Sequence, residues 1–235
     1  MSRPRRRSRR GAVRAAYDRV AEDYAKAFGD ELAELPLDRE MLDLAIAAAG
    51  DDGWVLEAGC GPAPAAGYLA ECHPGRAARL LGVDLSGAML TVAGARKPGL
   101  ARAQGNLLAL PLRDRSCSLV IAYYSLQHVP RTAVGAALAE AWRVLRERGL
   151  LVTAMHLGDG DVFVEEFLGH RVGTVGGALY GRDELVDLLG VSGFDVEVER
   201  QRAPMAHEHD SQRLYLLARR GSPSRDPMAG RAGQR

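Results

Sequence analysis

Residues 54–61 read Trp-Val-Leu-Glu-Ala-Gly-Cys-Gly, and this stretch decides the fold that the rest of the chain completes. An apolar run that ends in an acid and two close glycines is typical of a buried parallel strand that stops at a tight turn. A second apolar run, Arg-Leu-Leu-Gly-Val-Asp at residues 79–84, also ends in an acid. We therefore expect two neighbouring strands that place Glu57 and Asp84 side by side in a nucleoside site.

The residues around the turn favour one nucleoside ligand over another. A dinucleotide-binding loop would need glycine at positions 59, 61 and 64, because backbone and helix must close on a pyrophosphate. Position 64 is proline, and the carboxylate of Glu57 would repel a pyrophosphate but suits a ligand with an ammonium group. The pattern therefore favours S-adenosylmethionine over NAD.

Five segments resemble, in order, the motifs of class I S-adenosylmethionine-dependent methyltransferases with small-molecule, type 11/25-like domains. They are residues 55–62, 83–90, 104–111, 117–130 and 143–151. The resemblance spans residues 12–219. It implies an α/β, Rossmann-like fold whose seven-stranded sheet is mostly parallel, with an antiparallel last strand, helices on both faces and an N-terminal helical lid. It also implies methyl transfer from S-adenosyl-L-methionine, which leaves S-adenosyl-L-homocysteine.

Strand and helix patterns alternate along the chain as in βαβ units, which predicts a parallel sheet with right-handed crossovers. The predicted strands are 54–58, 79–84, 101–105, 117–123, 149–155, 194–200 and 212–219. The predicted helices of this alternating part are 64–72, 87–96, 133–146 and 182–191. Only residues 201–211 separate the last two strands, which is too short for a helical crossover, so the last strand should run antiparallel.

We expect a single domain at residues 12–220, between disordered tails at 1–11 and 221–235. Amphipathic helices within residues 12–50 are either ordinary packing helices or, as the resemblance implies, a lid over the cofactor and substrate. The glycine-rich segment 157–181, with a short helix at Val162–Leu168, is either a substrate cap or a flexible connection.

Charge and composition limit the partners. The formal net charge of +1 gives no overall attraction to nucleic acid or to anionic membranes. Arginines do crowd the amino terminus, but codon composition explains this arm better than RNA binding. No apolar run reaches the ~20 residues that span a bilayer, and the three cysteines suit a reducing compartment. We therefore expect a cytoplasmic protein with a small-molecule substrate and without membrane or nucleic-acid partners; the oligomeric state stays open.

The resemblance assigns the cofactor-binding residues by position. Glu57, Gly59, Cys60 and Gly61 should hold the methionine part, although Glu57 could instead cap the following turn. We interpret Cys60 as a small residue packed under this loop rather than as a nucleophile. Asp84, at a strand end, should accept hydrogen bonds from both ribose hydroxyls.

The adenine side of the site is assigned to Leu85, Met89, Asn106 and Leu107, with Tyr123 nearer the methyl group. Asn106 should accept a hydrogen bond from the adenine amino group, or it is an ordinary turn residue. One position departs from the family pattern, because Ala63 stands where another glycine is usual. A methyl group there is expected to disturb a turn of positive φ or to crowd the cofactor.

Methyl transfer from a sulfonium is an in-line displacement, so the enzyme mainly aligns its reactants in a dry site. A general base is needed only if the acceptor must lose a proton, and His128 and His156 are the candidates. His128 could instead fix the loop before the next helix. The predicted substrate-binding residues are Tyr17, Tyr24, Tyr124, Ser125, His128 and His156.

No metal site is predicted, because His207 and His209 lie in a polar turn that is typical of a solvated loop. Two other functions remain open beside methyl transfer to a small molecule. One is a cofactor-binding homologue with a non-methylating or degenerate role. The other is an RNA-directed methyltransferase that uses the basic arm, whose arginines are Arg3, Arg5, Arg6, Arg7, Arg9 and Arg10.

Overall fold

The computed structural model describes residues 9–206 and 208–221. The strands, in chain order, are β1 (Trp54–Ala58), β2 (Leu80–Asp84), β3 (Ala101–Gln104), β4 (Cys117–Tyr123), β5 (Leu145–His156), β6 (Asp161–Phe167), β7 (His170–Ala178), β8 (Phe194–Arg202) and β9 (Arg213–Arg220). The main sheet has seven of them in the order β3-β2-β1-β4-β5-β9-β8. The helices are α1 (Arg9–Phe28), α2 (Pro36–Ala48), α3 (Pro64–Cys72), α4 (Gly87–Arg96), α5 (Val134–Val144) and α6 (Arg182–Val191).

The first five strands run parallel, and β9 inserts antiparallel between β5 and β8. The predicted antiparallel last strand is therefore confirmed, and so is the Rossmann-like α/β class. Helix and strand bounds follow the predictions closely. The main shift is at β5, which begins at Leu145, because the chain leaves α5 in an extended conformation at that residue.

Helices cover both faces of the sheet because the strands are apolar on both sides. Along β1, Leu56 packs in the layer with α5 and α6, whereas Val55 packs in the layer with α2 and α3. Both side chains are almost fully buried. Because helices cover both faces of the sheet, the loops meet at its edge, where the carboxyl ends of the parallel strands lie.

The predicted helix at Val162–Leu168 is wrong, because these residues belong to an antiparallel hairpin made of β6 and β7. Leu168 and Gly169 connect the two strands with φ values of 50° and 76°. Two consecutive positive φ angles match the twist of a two-residue hairpin. The β-branched Val162 and Val164 and the aromatic Phe163 before them also favour a strand.

The predicted disordered tails need correction at their inner ends. Helix α1 begins at Arg9, so residues 9–11 are helical, and Gly221 donates a backbone hydrogen bond to Gly193 O at 2.9 Å. Residues 1–8 and 222–235, with most of the basic arm, lie outside the described residues. Within the described part of the chain, no helix combines the length and apolar character that a membrane crossing requires.

Helix α1 lies between α4 and the β6–β7 hairpin. On one side, Ser86, the N-cap of α4, donates its hydroxyl proton to Asp18 Oδ1 at 2.6 Å. On the other, His170 Nε2 lies 2.9 Å from Asp23 Oδ2, and Phe167 of the hairpin stacks on Phe28 with ring centroids 6.4 Å apart. The amino-terminal helix is thereby attached to both elements that border the site.

Candidate active site

The turn after β1 is shaped by steric exclusion. Gly59 has φ 76°, and a Cβ atom there would overlap the Cβ of Ser125 in the loop after β4. The amides of Gly59 and Cys60 both donate to Val83 O, at 2.7 and 3.0 Å. The backbone of the turn is therefore held against β2 and faces the carboxyl ends of the strands.

Glu57 caps the helix that follows this turn. Its side chain is buried, and its two carboxylate oxygens accept the amides of Ala65 at 3.2 Å and Ala66 at 2.8 Å, in the first turn of α3. Burial raises the pKa of Glu57 to about 8. The geometry agrees with the capping role that the sequence left open, and each carboxylate oxygen retains acceptor capacity for a ligand.

Asp84 connects the end of β2 to the glycine turn. Its Oδ2 accepts the amide of Gly61 at 2.8 Å, and its Oδ1 accepts the amide of Ser86 at 2.8 Å. Burial raises the pKa of this carboxyl above its ordinary value. One lone pair on each oxygen is used by the protein, so the predicted pairing with two ribose hydroxyls would use the remaining ones.

A cavity of about 260 Å³ opens between this turn, α1 and the loops after β3 and β4. All ten residues predicted to bind a cofactor lie in its wall: Glu57, Gly59, Cys60, Gly61, Asp84, Leu85, Met89, Asn106, Leu107 and Tyr123. Asn106 Oδ1 also accepts the amide of Leu108 at 3.0 Å, as a turn residue does. The residues predicted from the sequence therefore surround one cavity. Their contacts with a ligand stay a prediction.

The surroundings of Cys60 do not suit a nucleophile. Its side chain is buried and its sulfur packs against Gly82 of β2. Burial raises the pKa of the thiol well above its ordinary value, so the reactive thiolate is disfavoured. The structure thus agrees with a packing role under the loop.

A second cavity of about 410 Å³ adjoins the first, beneath α1 and the hairpin. Five of the six predicted substrate residues lie in its wall: Tyr17, Tyr24, Tyr124, His128 and His156. Ser125 lines only the first cavity, where its hydroxyl donates to Ala58 O at 2.7 Å. Tyr17, Tyr24, Tyr124 and His128 line both cavities, so they form the junction between them.

His128 links the three elements that surround the junction. Its Nε2 lies 2.9 Å from the hydroxyl of Tyr17 on α1, and its Nδ1 lies 3.4 Å from Gly176 O in the hairpin. The Gly176 carbonyl can only accept, so Nδ1 carries the ring proton, and the Tyr17 phenol, whose pKa burial raises well above its ordinary value, donates to Nε2. Both ring nitrogens have partners, which agrees with the loop-fixing role rather than with a general base.

Sequence reasoning missed a buried polar network behind the second cavity. Asp38 of α2 is 1% exposed and accepts the hydroxyl proton of Tyr215 at 2.7 Å. Tyr215 Oη in turn accepts from Arg202 Nε at 2.9 Å, and the Tyr124 hydroxyl lies 2.9 Å from it. Arg202 also holds Glu208 in a two-pronged ion pair, at 2.5 and 2.8 Å.

This network fixes the side chains at the polar end of the second cavity. The hydrogen bonds from Arg202 lower the pKa of Glu208 to about 2, so the acid is ionised. The only sequence signal for the network is a charged Asp38 on the apolar side of α2. Tyr124, which joins the network to the junction, adopts a φ of 51°, a conformation that is uncommon outside glycine.

His209 lies in the wall of the second cavity, whereas His207 lies outside the described residues. Within residues 9–206 and 208–221, no group of three or more histidine, cysteine, aspartate or glutamate side chains is placed to hold a metal ion.

The chain has a Rossmann-like fold with two adjoining cavities at the carboxyl ends of its parallel strands. A family model described as "Methyltransferase domain" matches residues 56–153. A probable S-adenosylmethionine-dependent methyltransferase of Mycolicibacterium smegmatis is 32% identical over 159 residues, which cover 66% of this chain and 56% of that protein. The chain spans about half the length of the curated relatives it matches.

Solved structures share the fold. The 1,6-didemethyltoxoflavin-N1-methyltransferase of Burkholderia thailandensis, solved with S-adenosylhomocysteine, has a TM-score of 0.67 and 19% identity, with 90% of this chain and 88% of that one covered. The [4+2]-cyclase SpnF has a TM-score of 0.63 and 18% identity, with 91% and 97% covered. The family match places a methyltransferase domain at residues 56–153, and the fold and the sequence motifs agree with it.

The Ala63 position generates a stability prediction. Ala63 is fully buried and has φ 61°, so the backbone at this position is left-handed despite the methyl group. A non-glycine residue pays about 1–2 kcal/mol in this conformation, and glycine adds about 0.4–1 kcal/mol of unfolded-state entropy. Ala63→Gly should therefore raise the free energy of unfolding by about 0.5–1 kcal/mol in a denaturant titration.

Ala65→Gly is the matched control, because Ala65 is buried in the first turn of α3 with ordinary helical geometry. It should lower the free energy of unfolding by roughly 1 kcal/mol. An equal loss in both variants would mean that the methyl packing of Ala63 outweighs its backbone strain.

Proposed function

We propose that the protein transfers the methyl group of S-adenosylmethionine to a small molecule held in the second cavity. The observation that carries this proposal is the pair of adjoining cavities. The first has all ten predicted cofactor residues in its wall, and the second is largely apolar and shares Tyr17, Tyr124 and His128 with it. The junction is where methyl donor and acceptor would meet.

The residues present suit the cofactor. The first cavity offers two carboxylates, Glu57 and Asp84, and the exposed backbone of a glycine turn, which match an ammonium group and ribose hydroxyls. A bound S-adenosylmethionine supplies an activated methyl group. The protein's own contribution is then to orient both molecules and exclude water, and such positioning can supply roughly 7–11 kcal/mol of a barrier.

Three tyrosines at the junction favour a neutral, dry environment. Burial raises the pKa values of Tyr17, Tyr24 and Tyr124 above the ordinary range, so all three remain protonated near neutral pH. Their rings can face a positively charged donor without adding a competing anion, since aromatic faces attract cations.

We favour a small molecule over RNA because the second cavity lies beneath α1 and the hairpin. Most arginines that would serve an RNA-binding arm lie outside the described part of the chain, and Arg10 lines the first cavity but not the second. We also propose a cytoplasmic location, because Cys60, Cys72 and Cys117 are all free thiols. The similarity in fold to SpnF is the observation that favours the other alternative, a cofactor-binding homologue with a non-methylating role.

The first test is S-adenosylhomocysteine binding by isothermal titration calorimetry. The wild-type protein should bind, and Asp84→Ala should weaken binding roughly 100-fold, because two hydrogen bonds to a charged group would be lost. Asp187→Ala, an exposed acid on α6, is the matched control and should bind like the wild type. A wild-type protein without measurable affinity would refute the proposed function.

The raised pKa of Glu57 predicts a pH dependence of the same binding. A buried acid with a pKa of about 8 is mostly protonated at pH 7, and its contribution to stability falls as pH rises from about 4.5 towards 8. A cationic ligand group favours the carboxylate. Affinity for S-adenosylhomocysteine should therefore increase roughly tenfold between about pH 6.5 and 8, and Glu57→Gln should flatten this profile. A wild-type profile as flat as that of the variant would contradict the assignment.

A further inference from the structure

The second cavity separates apolar walls from a polar end. Its apolar side chains come from α1 and the hairpin and include Val20, Val162, Val164, Phe167, Val172 and Val175. Four polar or charged side chains, His156, Glu208, His209 and Arg213, lie together beside the ends of β5 and β9, apart from Glu31, Gln127 and the junction residues, which also line the wall. This division suits a molecule with an apolar body and one polar group.

The hydrogen bonds around Ser211 favour one tautomer of His156. Arg213 Nη1 donates to Ser211 Oγ at 2.8 Å, and a guanidinium can only donate. The Ser211 hydroxyl proton then has one described acceptor, His156 Nδ1, at 2.8 Å. This hydroxyl proton is satisfied within the described protein only when Nδ1 is unprotonated, so we expect His156 to carry its proton on Nε2. Among the described contacts no protein group bonds Nε2, so the ring presents an N–H donor to the cavity.

Arg213 gives this end of the cavity a positive field. The side chain is 2% exposed, and its Nε has no hydrogen-bond partner among the described residues. Its counter-ion Glu208 lies 3.6 Å away but is held more closely by Arg202. Burial, and next the charge of Arg213, lower the pKa of His156 to about 4, so the imidazole stays neutral.

Two other acids lie near the cavity. Asp38 accepts the hydroxyl proton of Tyr215 and lies 3.5 Å from Arg202. Glu31 lies in the wall shared with the first cavity. A negative group on a ligand would therefore find an N–H donor and a partly balanced guanidinium at the end formed by His156 and Arg213.

Neither histidine predicted as a general base is free to take a proton from an acceptor. Both ring nitrogens of His128 have partners. His156 Nδ1 accepts from Ser211, and its Nε2 already carries a proton. An acceptor that is an anion at neutral pH needs no base, and a carboxylate is the ordinary organic group with this property.

We propose that the second cavity takes an apolar small molecule with a carboxylate group, one oxygen of which is held by His156 Nε2–H while the other accepts the methyl group. This inference rests on the proposed function. The carboxylate oxygen forms the bond to the methyl carbon, the bond from carbon to sulfur breaks, and its electron pair stays on sulfur. The anion and the sulfonium become a neutral ester and a thioether, and no proton moves.

Three probes of nearly equal shape test the charge preference: 2-naphthoate, 2-naphthamide and 2-naphthylmethylamine. Calorimetry on protein saturated with S-adenosylhomocysteine should show that 2-naphthoate binds most tightly and the ammonium probe most weakly. A charge-assisted hydrogen bond predicts a preference for the carboxylate over the amide of roughly 10-fold or more. Equal affinities, a preference for the amide or amine, or no binding of 2-naphthoate would overturn the proposal.

Variants locate the preference at His156. His156→Phe should remove most of the advantage of 2-naphthoate over 2-naphthamide, whereas His156→Gln, which retains an N–H donor, should keep part of it. His73→Phe makes the same change at a histidine outside both cavities and should leave the preference intact. A preference that survives in His156→Phe would contradict the role of this residue.

Two readouts separate this proposal from the proposed function and from misfolding. Affinity for S-adenosylhomocysteine should be unchanged in His156→Phe. If the wild-type protein does not bind S-adenosylhomocysteine at all, the proposed methyl transfer itself fails. Nitrogen NMR of histidine-labelled protein should show the Nε2–H tautomer of His156 at neutral pH, and Ser211→Ala should disturb it. A resonance of the Nδ1–H tautomer or of a charged imidazolium at neutral pH would refute the inference.

Discussion

The structure depends on one steric constraint, the close approach of the turn after β1 to Ser125. Gly59 has no side chain there because a Cβ atom would overlap that of Ser125, and this lets the loops after β1 and β4 meet. Asp84 then binds the amide of Gly61, and Glu57 binds the first turn of α3. The two acids that face the first cavity thus also fix its backbone, so the cavity is organised before any ligand arrives.

Helix α1 and the hairpin complete the second cavity, and they do so through the same side chains that border the first. Tyr17 of α1 bonds His128, and His128 reaches Gly176 of the hairpin. Because Tyr17 and His128 line both cavities, a ligand in either cavity would contact side chains that also border the other. The segment 157–181 therefore lies where a substrate cap would lie, although it is built as a hairpin rather than as a helix.

The sequence predicts the first cavity well because its determinants are local. Acids and glycines at strand ends meet at one edge of a parallel sheet, so their positions along the chain suffice. The second cavity could not be predicted in this way. Asp38, Arg202, Glu208 and Tyr215 come from distant segments and meet only in the folded chain. The hairpin was missed because Val162–Leu168 also fits a helical period, and the decisive turn at Leu168 and Gly169 lies at its end.

The matched family segment and the walls of the second cavity hardly overlap, and this explains why the acceptor must be inferred from the walls. Residues 56–153 hold the glycine turn and Asp84. Of the second cavity's lining, only Tyr124, Gln127 and His128 fall within that segment. The remaining wall comes mainly from α1, the hairpin and the ends of β5 and β9, with Glu31 after α1, Leu179 after the hairpin, and Glu208 and His209 before β9. Since function resides in the site rather than in the fold, the neutral His156 and the partly balanced Arg213 carry more information about the acceptor than any similarity of architecture.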